Sequence, residues 1–172
     1  IADDSGAIGI AGVMGGATTE LTEETTEVII EAAAFDSRAV SRTARSLHLA
    51  SEASRRFERG VDAGACYAAA MRAATLLAEL AGGTVDEDVT VVGEPEPVAG
   101  ARFDIDLPSR ILGMPLTQEQ VIAALTGAGV TVEVAGDCLE VVPPSWRPDL
   151  RDPYDYVEEV GQKVGLDRIE GI

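Results

Sequence analysis

Three carboxylates, Asp155, Glu158 and Glu159, recur at spacing i, i+3 and i+4. A helix would carry them on one face, where like charges repel unless a cation intervenes. Asp149, in the stretch just before them, can join the group. Hard oxygen ligands of this kind suit Mg²⁺ rather than zinc, and Mg²⁺ keeps several waters while taking few carboxylates from any one element. The other reading is a solvated acidic face near a helix N-terminus, stabilised by the helix dipole with no metal.

A second chemical feature is the run AIGIAGV, residues 7 to 13, which ends in Met14, Gly15 and Gly16. It reads as a buried strand entering a tight backbone turn. It lacks the Lys-Ser/Thr ending of a P-loop and the GxG start of a dinucleotide fingerprint, which disfavours nucleotide binding there. Over about 27 to 34, Val28, Ile29 and Ile30 lead through Glu31 into three alanines. That pattern predicts a second strand, in which the Glu31 carboxylate would be costly to bury without a partner. One of the nearby arginines could supply that partner. No Ser/His/Asp or Cys/His constellation is present, so no catalytic residue is assigned. His48, the only histidine, is read as a packing or capping residue.

The elements that would position these groups follow from caps and breakers. Ser37 can cap a helix over 38 to 47, and Ser51 a short one through Arg59. Asp62 and the pair Gly82-Gly83 bracket the longest helix, rich in Ala, Met and Leu. A strand is expected near 85 to 92. The stretch GEPEPVAG, residues 93 to 100, has two prolines, two glycines and no apolar period, and marks a connector between domains at 1–95 and 100–172. Beyond it come a strand near 102 to 106 and a short helix at 108 to 112. A capping box, Thr117 with Gln120, then opens a helix that Gly127 and Gly129 end. Residues 130 to 142 alternate about Gly136-Asp137, as a tight hairpin does. Pro143, Pro144 and Pro148 hold an extended loop around Trp146. Asp152 and Pro153 cap and open a last helix burying Val157, Val160 and Val164. Helices with mostly antiparallel strands and no βαβ repeat make this an α+β protein of two small domains.

At 172 residues with 46% hydrophobic content, the chain has ample material for a packed core. No bilayer-length apolar run and no signal peptide are evident, which points to a cytoplasmic protein. Cys66 and Cys138 lie far apart without CxxC or histidine partners, and both are expected as buried thiols. A net charge of −17 opposes general attraction to nucleic acid, so any RNA partner must be met locally. The basic residues Arg38, Arg42, Arg45, Arg55, Arg56 and Arg59 do cluster, although the reading favoured from sequence is of helix faces paired with nearby Glu and Asp.

Three strings occur in order: DSGAIGIAGVMGG (Asp4 to Gly16), SEASRRFERGVD (Ser51 to Asp62) and PPSWRPDLRDPYDYVEEV (Pro143 to Val160). Together they resemble the beta subunit of bacterial phenylalanyl-tRNA synthetase, and the final GLDRIEGI resembles that family's exit from its second domain. The resemblance implies an internal stretch of a longer chain: the C-terminal part of the tRNA-editing domain, then a small winged-helix-like domain. Part of the editing pocket would come from residues upstream of Ile1. Carried over by position, Gly15 would let backbone approach a bound amino acid. Glu31 would recognise the para-hydroxyl that distinguishes tyrosine from phenylalanine, and Ser51 and Ala53 would line the pocket, Ser51 standing where some members carry threonine. Asp149, Asp155, Glu158 and Glu159 would match a magnesium site shared with the alpha subunit. Partners implied are the alpha subunit in an α2β2 tetramer, tRNA(Phe), and the ATP and phenylalanine bound by the complete complex. The alternatives from the residues alone are a noncatalytic RNA- or protein-interaction module and a stand-alone editing-type hydrolase.

Overall fold

Glycine and proline punctuation divides the backbone into short strands and capped helices, and the computed structural model describes residues 1–86 and 88–169 of them. The architecture is α+β, in two units, Ile1–Pro95 and Glu96–Ile172.

In the first unit, β1 (Ala2–Asp3) pairs antiparallel with β2 (Gly6–Ala7), and β3 (Gly9–Ile10) with β4 (Met14–Gly15). The single strand expected over 7 to 13 is therefore broken. Gly12, at φ +67°, turns the chain back so that Gly9 lies opposite Gly15. Gly16 has a different constraint. Its N–H donates to the Ile8 carbonyl at 2.9 Å, and a Cβ there would stand 2.4 Å from that same oxygen.

The helix α1 (Ser37–Ser46) is capped by Asp36, whose Oδ1 accepts from the Ala39 N–H at 2.6 Å; Ser37, the expected cap, is the first helical residue instead. The longer-reaching carboxylate one position earlier takes the capping role. At the other end His48 sits at φ +55° while Leu49 N–H returns to the Ala44 carbonyl, which gives the histidine a capping place. α2 (Glu52–Phe57) begins at its Ser51 cap, and α3 (Cys66–Ala81) ends at Gly82 in the left-handed conformation. Val13, Val40 and Ala44 form the buried core, flanked by Ile10, Phe35, Leu49 and Phe57, with the Phe35 and Phe57 rings 5.0 Å apart.

Two expected strands are absent. Residues 27 to 34 run without ladder partners, leaving Ile29 99% exposed and Glu31 exposed rather than buried. Apolar residues make a strand only where a neighbouring strand can take their backbone groups, and none of the described residues does so here. No strand forms among the described residues of 85 to 92 either; position 87 lies outside them. The last three residues of GLDRIEGI also lie outside them. Both cysteines are free and half-buried, less enclosed than expected.

The second unit follows its local signals closely. β5 (Ala101–Asp104) leads into α4 (Leu107–Leu112), and α5 (Gln118–Gly127) opens on the reciprocal Thr117–Gln120 capping box. β6 (Thr131–Ala135) and β7 (Cys138–Val142) flank Gly136-Asp137, with Ala135 opposite Cys138 and Gly136 at φ +66°. The sheet order is β5-β7-β6, antiparallel throughout. Leu139 and Val141 of β7 point inward while Glu140 faces out beside Arg102 at 3.5 Å, the period of two that a one-sided sheet requires. α6 (Pro153–Val164) lays Tyr156, Val157 and Val160 into the core, and Val164 packs at its edge.

Candidate functional site

In the first unit one open cavity of about 650 Å³ is bordered by Gly15, Glu31, Ser51 and Ala53, together with Met14 and Phe57. Four positions separated by up to 38 residues are thus gathered by the β3–β4 turn, the segment before α1, and the start of α2. Gly15 is not explained by packing, since a Cβ there would meet nothing within 4 Å, unlike one at Gly12 or Gly16. Ser51 is structurally committed. Its Oγ accepts from the Ser54 N–H at 3.0 Å and donates to the Val13 carbonyl, tying α2 to the β3–β4 turn. Ser54, almost wholly buried, completes the box: its Oγ accepts from the Ser51 N–H at 3.0 Å, and its hydroxyl also donates to the Ser51 carbonyl at 2.9 Å. Glu31 has neither a hydrogen bond nor an ion pair among the described residues, so it is not the arginine-paired carboxylate of the alternative reading. Its carboxylate is free to accept from a ligand.

The arginines lie exposed on α1, on α2 and, for Arg59, in the turn after α2. Arg55 pairs with Glu52 at 3.1 Å, and Arg45 donates to Ser41, which in turn donates to Glu58 at 3.2 Å. Arg38, Arg42, Arg56 and Arg59 have no ion pair among the described residues, so acid pairing accounts for only part of the cluster.

In the second unit the four acids do not act as one face. Asp155 folds back to accept from the N–H groups of Arg151 and Asp152 at 2.9 and 2.8 Å, and these bonds, the one from Asp152 foremost, hold its carboxyl below the usual carboxylate range. Glu158 is exposed and accepts from Gln162 at 2.9 Å. Asp149 and Glu159 meet at Arg147: Nε lies 3.0 Å from Asp149 Oδ1, while Nη2 lies 2.8 Å from both Asp149 Oδ2 and Glu159 Oε2. Hydrogen bonding to Asp149, then to Glu159, raises the guanidinium above its ordinary value, and the same contact lowers the Asp149 carboxyl. Burial, then the charges of Asp155 and Asp149, push the Tyr156 phenol up. Among the described residues no group of three or more His, Cys, Asp or Glu side chains is arranged to hold a metal ion. As placed here, the four acids do not fit a common magnesium ligand set.

Residues 1–82 match the family model of the B3/4 domain, and residues 101–165 that of the tRNA synthetase B5 domain. Over its whole length the chain is 57% identical to the phenylalanine–tRNA ligase beta subunit of Cutibacterium acnes. The chain belongs to the phenylalanine–tRNA ligase beta-subunit family. It is also 48% identical to the beta subunit of Leifsonia xyli and 49% to that of Corynebacterium glutamicum, in each case over all of this chain. It spans about one fifth of the length of the curated relatives it matches: 20% of the first two and 21% of the third. No helix among the described residues is long and apolar enough to cross a membrane.

Within this family sequence, the residue that pattern reading missed is Arg147. A basic residue two positions before Asp149, in a stretch otherwise dense in acids, was the available signal, because a guanidinium spans two carboxylates that a helix alone cannot bring together.

Proposed function

We propose that the chain serves a phenylalanine–tRNA ligase as part of its beta subunit, with the first unit contributing to hydrolytic editing of tyrosyl-tRNA(Phe). In this reading the alpha subunit of an α2β2 complex binds ATP and phenylalanine and forms phenylalanyl-tRNA in the cytoplasm. The second unit is a winged-helix-like support. The observation that carries the proposal is the convergence of Gly15, Glu31, Ser51 and Ala53 on one cavity, with Glu31 unpaired among the described residues and Gly15 open.

The chemistry suits discrimination of tyrosine. An apolar pocket is a poor judge of one added hydroxyl, whereas a site built to bond that hydroxyl penalises the analogue that leaves it unpaired. A carboxylate without an internal partner is such an acceptor, and a glycine with open space above it lets backbone and ligand approach closely. The exposed arginines of α1 and α2 supply local positive charge for RNA phosphates in a chain that is otherwise strongly acidic. No group in the cavity has the arrangement of a nucleophile with its base, so the residues here bind and orient.

The test is Glu31→Ala in the complete synthetase. Hydrolysis of tyrosyl-tRNA(Phe) should fall roughly 10–100-fold, the loss of one hydrogen bond to a charged acceptor, while phenylalanine attachment is unchanged. Undiminished hydrolysis would remove Glu31 from the specificity role.

A further inference from the structure

We infer that the resident counter-ion of the acidic group in the second unit is the guanidinium of Arg147, and that Asp149 and Glu159 are its anchors rather than ligands of a divalent metal.

Three observations carry this. Arg147 grips Asp149 through two different nitrogens and shares Nη2 with Glu159, all at 2.8–3.0 Å. A planar guanidinium can hold one carboxylate through two nitrogens while a further N–H reaches a second. Glu159 is only 9% exposed, and Arg147 is its one side-chain hydrogen-bond partner among the described residues. A carboxylate so placed needs a cation, and the protein already supplies one. Finally, the remaining acids are spoken for elsewhere: Asp155 closes the start of α6 and Glu158 bonds along the helix.

A magnesium ion demands near-octahedral oxygens at about 2.0–2.1 Å and gives up water reluctantly. To use Asp149 and Glu159 together it would have to displace the guanidinium from both. The clamp also has a mechanical consequence. It fastens the loop that carries Arg147 to α6, next to Leu150, whose buried carbonyl accepts from the Tyr156 hydroxyl at 3.2 Å. The loop before α6 is thereby held at two neighbouring points, one ionic and one neutral.

Divalent binding is read in the complete synthetase, where the alpha subunit is present, with Mn²⁺ alone as the probe: uptake, followed by the paramagnetic resonance of the free ion, should be the same with Glu159 and with Glu159→Gln. Melting is read on the 172-residue chain. Arg147→Gln should lower the melting midpoint by on the order of 5–10 °C. Adding Glu159→Gln should recover much of that loss, since the stranded carboxylate is then neutral. If the Gln variant does not fold, Arg147→Lys gives the same cycle: its loss should shrink once Glu159 is Gln. Saturable Mn²⁺ uptake by the synthetase that Glu159→Gln abolishes would overturn the inference. So would equal losses from the Arg147 change with and without Glu159.

Discussion

Gly15 and Gly16 are neighbours with opposite constraints, and this separates what the fold needs from what a ligand needs. At Gly16 a Cβ would be driven to 2.4 Å from the Ile8 carbonyl oxygen, which is backbone and already receives the Gly16 N–H. Gly16→Ala must therefore pry apart the junction before the β3–β4 pair. It should cost about 2–3 kcal/mol in denaturant unfolding of the first unit. At Gly15 a Cβ meets nothing within 4 Å and φ is not positive, so Gly15→Ala should change stability by less than about 0.5 kcal/mol. Its effect should appear in hydrolysis of tyrosyl-tRNA(Phe) by the complete synthetase, because the added methyl borders the cavity. If Gly15→Ala destabilised the fold as much as Gly16→Ala, both glycines would be packing residues and the cavity would lose one of its arguments.

Helix ends show how far local chemistry determines structure here. The Thr117–Gln120 box, the Asp152-Pro153 start and the Gly136-Asp137 hairpin formed where the sequence placed them, because each depends on bonds closed within four residues. The strands expected over 27 to 34 and 85 to 92 failed because a strand needs a partner that composition does not specify. The site divides the same way. Gly15, Glu31, Ser51 and Ala53 follow from the family resemblance, and they border one cavity, but the exposure of Glu31 and the Arg147–Glu159 contact across twelve residues are not legible in local pattern. The start of α6 offers a pH test. Asp155 accepts two backbone N–H groups and its carboxyl is lowered from 3.8, so the unfolded chain takes up this proton more readily than the folded one. Its contribution is fully present above the unfolded value and is lost as pH falls through the folded one. The melting-midpoint difference between the unmodified chain and Asp155→Asn should accordingly hold steady near neutrality and narrow in acid. A difference that does not vary with pH would mean that the ionised Asp155 carboxylate adds nothing to stability.

The two units differ in how much apolar surface each encloses, and that difference should govern where the molecule opens first. The first unit buries Val13, Val40 and Ala44 in its cluster, and α3 has no fully buried residue despite its sixteen-residue length, with Tyr67, Leu77 and Leu80 exposed. The second buries ten residues in one cluster, among them Leu125, Leu139, Tyr156 and Val160, each fully enclosed between the sheet and the helices. Since helix stability in proteins comes mainly from packing of the apolar face, α3 has composition in its favour and little packing to hold it. Opening free energies within one chain span from near zero for such elements up to the global value for core helices. Amides of α1 and α3 should therefore exchange with solvent deuterium well before those of α5 and α6. Leu125→Ala removes a fully buried side chain and should lower the protection of α5, β6, β7 and α6 by about 2–5 kcal/mol. Hydrogen exchange read by mass spectrometry on the unmodified and Leu125→Ala chains decides it. If α3 were protected as strongly as α5, the sixteen-residue helix would be held by more than its own unit's buried contacts provide, and the ranking of the two units by core size would fail.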